Sequence, residues 1–219
     1  MLLLLSRTTS TINTGWKYLP VSPSFGRREK HTLQAALLVR SFKSLSPAID
    51  LAVRGYYVSA ATLLRSLYEN ELILWATDVV PDTLSWLWEQ EWHRAATFME
   101  LARKMDAWLE EHKLAPRMVS TWTGMYGTVS EVAHPRVRGL RMEFDEFGLT
   151  LNTGPQWDAE YLLFALGIAL LVGLRLILLE RDFLSRLGEP SKDWLDAVAK
   201  LIADVEAWLM SNPLGDMPG

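Results

Sequence analysis

His134 stands at the end of a helical stretch, with Ser130 one turn before it and Pro135, Arg136, Arg138 and Arg141 just after it. An imidazole titrates nearest to neutral pH, so it is the side chain best suited to take up or release a proton. At the last turn of a helix the backbone dipole also favours its cationic form. The three arginines that follow gather positive charge, as the holding of a phosphate requires. Far upstream, Arg65 and Glu69 lie one turn apart on another helix. There a guanidinium can stabilise an anion, and a carboxylate can orient an imidazole or a hydroxyl. His134, Arg65, Glu69 and Ser130 are therefore the candidate catalytic residues, and Arg136, Arg138 and Arg141 the candidate anion- or RNA-binding ones. The plainer alternative is that His134 satisfies helix-end carbonyls beside a solvated loop and that the Arg65 and Glu69 charges only fix packing.

Other chemistries lack their residues. The chain has no cysteine, which excludes disulfides, thiolate metal sites and thiol nucleophiles and suits a reducing compartment. No Gly-rich phosphate loop, HExxH or GxSxG motif occurs. Glu131 and His134 supply a single Glu-x-x-His, whereas a di-iron bundle needs two copies and two further glutamates. Glu89 and His93 make only a common one-turn pair. Neither a metal nor a cofactor is expected. A formal net charge of -4 over 219 residues gives no global basic field, so any contact with nucleic acid must come from a local patch.

The element that must position these groups is the stretch 56–77. Stepped round a helix, its Ala60, Ala61, Leu63, Leu64, Leu67, Tyr68, Leu72, Leu74 and Trp75 cover more than half the circumference. A helix apolar nearly all round is surrounded by other helices, so this is the central member of a bundle. Arg65 and Glu71 fall on its apolar side, and buried charges are costly unless paired. Arg175, the one charge in the apolar run 161–179, is the matching cation, and the spacing predicts that Glu71 or Glu69 pairs with it.

The rest of the chain reads as helices around that one. Residues 1–26, with Pro20, Pro23, Gly15 and Gly26 among serines and threonines, read as an irregular arm, and 27–219 as a single domain. A first helix spans 27–53, bent or split at Pro47 and ended by Gly55. A third runs over 81–113 and a fourth over 116–134. The fourth has a seam of Met118, Trp122, Met125, Val129 and Val132 and an opposite face of small groups, Thr123, Gly127 and Ser130, where another helix or a ligand groove can come close. Alternation of Leu140, Met142 and Phe144 with charged residues predicts a β-hairpin at about 140–152. A fifth helix spans 155–187, and a sixth spans 191–210 from Ser191, a good N-cap, with a seam of Trp194, Val198, Leu201, Val205 and Trp208. The fold expected is an all-α, up-and-down bundle of about six helices with a small β-hairpin insertion.

The run 161–179 is long enough to span a bilayer, and a single arginine at its centre costs only about 2.5 to 3.5 kcal/mol on insertion scales. Because Glu160, Arg175 and Asp182 share a stripe and the helix runs on into charged residues, no membrane span is expected. Ala165, Ala169 and Gly173, four residues apart, instead permit close approach of another backbone, within the bundle or in a dimer.

The pattern GYYVSAATLLRSLYE in the central helix and YGTVSEVAHP at the end of the fourth resembles uncharacterised bacterial families of HEPN-like helical bundles. The likeness covers roughly residues 30–185. It implies functional roles for Arg65, Glu69, Ser130 and His134, a metal-independent endoribonuclease activity of toxin–antitoxin or phage-defence type, a homodimer, and a cytoplasmic location. The Arg-x4-6-His spacing of HEPN ribonucleases is not present, since the arginines nearest His134 follow it. Two readings result: an RNA- or nucleotide-handling factor, or a non-catalytic helical dimerisation and interaction module.

Overall fold

The computed structural model describes residues 1–18, 30–81, 83, 98–121, 123, 124, 127, 129, 130, 155, 157–187 and 190–212. The α-helices are α1 (Leu2–Gly15), α2 (Lys30–Val53), α3 (Tyr57–Val79), α4 (Phe98–Glu111), α5 (Met118–Thr121), α6 (Ala159–Leu187) and α7 (Lys192–Ser211), with one 3-10 turn at Trp16–Tyr18. No strand occurs among the described residues. The hairpin expected at about 140–152 lies outside them.

Helices α2 and α3 form an antiparallel pair joined by a tight reversal. Gly55 takes the left-handed conformation, with φ at 81°. The amide of Gly55 then donates to Ala52 O and that of Tyr56 to Leu51 O, which satisfies the last carbonyls of α2. Pro47 neither bends α2 into two elements nor ends it. The carbonyl that Pro47 leaves without its usual donor belongs to Lys43, and both residues face solvent, where water can replace the lost bond.

As the apolar circumference requires, α3 is central. It packs on α2, α4 and α6, and Ala60, Leu64, Leu67, Leu72, Leu74 and Ala76 are all buried. α6 lies against α1, α2, α3 and α7. By length and composition α6 could cross a membrane, yet 67% of its apolar window is buried inside the protein. α7 follows the expected seam: Trp194, Val198, Leu201 and Val205 are buried, and the Ser191 side chain caps its first turn by accepting from Trp194 N.

The N-terminal segment corrects the sequence reading. Residues 2–15 form a helix rather than an irregular arm. Its serines and threonines are compatible with helix because their hydroxyls bond the preceding turn: Thr8 donates to Leu4 O, Thr9 to Leu5 O and Thr14 to Ser10 O. Leu5, Thr8, Ile12 and Gly15, spaced three, four and three apart, make the buried stripe. A Cβ at Gly173 of α6 would lie 2.8 Å from Thr8 Cγ2, and one at Gly15 would lie 2.5 Å from Glu180 Oε1. Both steps advance seven residues, so α1 and α6 run parallel, and α1 occupies the small-residue stripe of α6 at Gly173. An Arg7–Asp204 ion pair at 2.7 Å and a hydrogen bond from Trp194 Nε1 to Thr11 O tie α1 to α7 as well.

The third helix is described only over Phe98–Glu111, where Leu101, Ala102, Met105 and Leu109 are buried. Lys113, with φ at 59°, ends it in the left-handed conformation. The amides of Lys113 and Leu114 return to Glu110 O and Leu109 O, a cap of the same kind as that at Gly55. The start of α5 is held from α4. Asp106 accepts from the backbone amides of Arg117, Met118 and Val119 at 2.7–2.9 Å, satisfying donors that have no partner within the helix.

Candidate functional site

Arg65 and Glu69 meet as their spacing predicts: Arg65 Nε donates to Glu69 Oε1 at 3.1 Å. About a quarter of each side chain stays in solvent, 26% and 22%, although both residues sit on a helix packed against three others. Ser130 is half-buried in a helical turn beyond α5. His134, Arg136, Arg138 and Arg141 lie outside the described residues. On the small-residue face of the fourth helix, Thr123 is exposed and a Cβ at Gly127 would meet nothing within 4 Å. No described helix therefore covers that face at Gly127.

Glu71, two residues beyond Glu69 and so on another side of α3, belongs to a second charged group. Arg175 Nη1 donates to Glu71 Oε1 at 3.2 Å and to the Tyr68 hydroxyl at 3.3 Å, and its guanidinium lies 5.6 Å from the centre of the Tyr68 ring. The pairing expected from the angular positions is thus made, with Glu71 as the carboxylate. Burial pushes the Glu71 carboxyl up to about 7 even though Arg175 pulls it down. Its other oxygen finds no hydrogen-bond donor among the described residues. Burial also raises the Tyr68 hydroxyl above its ordinary value, with Arg175 opposing. Burial works against the charge on Arg175, but Glu71 and Tyr68 outweigh it and hold the guanidinium above its usual range.

Two further carboxyls were not singled out by sequence reasoning. Asp78, near the end of α3, receives Lys30 Nζ at 2.6 Å from α2 and Arg186 Nη1 at 2.9 Å from α6. Gln34 Nε2 adds a third donor at 3.0 Å. Burial alone would raise the Asp78 carboxyl, but these hydrogen bonds prevail and hold it below its ordinary value. Glu180 of α6 has no exposed surface, and neither of its oxygens has a hydrogen-bond partner among the described residues. It is enclosed by Gly15 of α1 and the Trp194 ring. Burial pushes its carboxyl up to about 9, so it is a neutral acid at neutral pH. Its signal in the sequence was its position one heptad beyond Gly173, on the stripe that α1 covers.

The arrangement offers a half-buried guanidinium–carboxylate pair on α3, an ion pair between α3 and α6 at Glu71, and a buried acid at Glu180. Among the described residues, no group of three or more His, Asp or Glu side chains could hold a metal ion. The chain matches no protein-family model, no curated protein and no solved structure.

Proposed function

We propose that this all-α bundle handles RNA or a nucleotide in the manner of HEPN-like proteins, without a metal, as a cytoplasmic homodimer of toxin–antitoxin or phage-defence type. The observation that supports this reading is the Arg65–Glu69 pair: it is formed, and solvent reaches both members. In this reading Arg65 neutralises phosphate charge while Glu69 and Ser130 orient His134, which transfers the proton. Arg136, Arg138 and Arg141 hold the neighbouring phosphates, and the small-residue face of the fourth helix meets the second copy. Incubating the purified protein with total RNA, beside His134→Ala and Arg65→Ala, tests it. Cleavage or retention of RNA by the parent chain, lost in both variants while their folds persist, is the expected result. Equal behaviour of all three proteins would overturn the reading. Light scattering at micromolar concentration should give the dimer mass, and a monomer mass alone would count against the assembly.

The second reading, a non-catalytic interaction module, draws on a different observation. Arg175 of α6 and Glu71 of α3 bind one another at 3.2 Å, an ion pair that joins two packed helices and supports a packing role for such pairs on α3. Under it, Arg65→Ala lowers the melting temperature and changes nothing else.

A further inference from the structure

Between the end of α3, the second half of α4 and the start of α5 lies a pocket of about 300 Å³, lined by Trp75, Asp78, Val79, Met105, Trp108, Leu109, Leu114 and Arg117. That is the lower end of the volumes that hold small organic ligands, and a mostly apolar wall with few polar groups is their usual lining. Two indoles dominate it. His112 stacks on Trp108 with ring centres 4.0 Å apart, and it bonds Trp108 O through Nδ1, so that indole is braced from behind. The Arg117 guanidinium lies 5.9 Å from the centre of the Trp75 ring.

The charges at this pocket favour an anion. The Asp78 carboxylate is already engaged by Lys30, Gln34 and Arg186, and the Asp106 carboxylate by three backbone amides of α5. Of the two charged side chains that line the pocket, Asp78 is thus satisfied by cations outside it, and Arg117 is the one left to meet a ligand. Among the described residues, no carboxylate forms an ion pair with Arg117. We propose that this pocket binds a small aromatic carboxylate, its ring against Trp75 and Trp108 and its acid group on Arg117. The site is separate from the Arg65 and Glu69 pair and does not depend on the RNA reading.

The test uses the full chain labelled with nitrogen-15 and two probes, indole-3-acetate and the uncharged 3-methylindole. The indole N–H signals of Trp75 and Trp108 are assigned through Trp75→Phe and Trp108→Phe. Saturable shifts of those two signals with indole-3-acetate, half-complete at or below about 1 mM, are expected. Arg117→Gln, a change at an exposed position, should weaken indole-3-acetate roughly tenfold, the scale of one charge-assisted hydrogen bond, and leave 3-methylindole unaffected. Shifts that do not saturate, that spread evenly over all the tryptophans, or that are indifferent to Arg117→Gln would each overturn the proposal.

Discussion

Arg175 of α6 reaches across the bundle to Glu71 of α3, closing at 3.2 Å a contact between residues 104 positions apart in the chain. Without Arg175 the Glu71 carboxyl loses the cation that holds it down and takes up a proton, so it stays buried without its donor. Arg175→Met should therefore lower stability by about 1 to 3 kcal/mol, the cost of an unsatisfied buried polar group, read as a shift of the urea midpoint. Adding Glu71→Gln to that variant should return much of the loss. An unchanged midpoint in the single variant would show that the pair contributes nothing.

Glu180 and Glu71 make stability depend on pH in a defined direction. Both carboxyls are raised in the folded protein, to about 9 and about 7 from an ordinary value of 4.5, so the folded state binds their protons more tightly than the unfolded one. Their contribution is fully present below pH 4.5 and is lost as pH rises, through 7 for Glu71 and through 9 for Glu180. Asp78, held low, acts oppositely, and its contribution disappears only as pH falls below the ordinary carboxylate range. Thermal unfolding should thus occur at a higher temperature at pH 5.5 than at pH 8.5. Glu180→Met, similar in volume and without a charge to acquire, should flatten that slope and raise stability at the alkaline end.

Asp106 should behave as a cap supplied from a different helix. Asp106→Ala takes the acceptor from three amides at once and should cost about 1 to 2 kcal/mol. Asn, which keeps one acceptor oxygen, should cost less. The loss should appear first as faster amide hydrogen exchange at Met118 and Val119.

Lys113 is the described non-glycine residue with positive φ, and it is exposed. A left-handed conformation costs an L-residue roughly 1 to 2 kcal/mol, and glycine escapes that penalty while losing more entropy on folding. Lys113→Gly should therefore raise the melting temperature slightly, by the equivalent of about 0.5 to 1 kcal/mol. A fall would mean that the lysine side chain contributes more than the strain removes.

What the sequence made legible follows from how local each signal is. The central place of α3 and the Arg175–Glu71 pairing could be read because an all-round apolar helix leaves a charge no escape except a partner. The Ser191 cap and the α7 seam were legible because caps and seams are written within one or two turns. α1 was misread because Ser, Thr and Gly suggest loops by composition, while Leu5, Thr8, Ile12 and Gly15 form a buried stripe only once α6 is there to cover it. Asp106 was missed since its partners lie across a turn, 11 to 13 residues on. Glu180 was read only as the start of a charged run, ERDFLSR, in which nothing local separates it from exposed neighbours such as Asp182. Arg65 and Glu69 form the expected pair; Ser130 falls in the expected helical turn, and His134 and its arginines lie outside the described residues.

The parallel seating of α1 on α6 also has a temporal side. Gly173, which receives Thr8, is synthesised 165 residues later, and at about 5 to 20 residues per second this takes on the order of ten seconds. For much of that interval the stripe of Leu5 and Ile12 is outside the ribosome without the groove that will cover it. The newborn chain thus carries an amphipathic segment open to chaperones or to neighbouring nascent chains, and the bundle can close only after most of α6 has emerged.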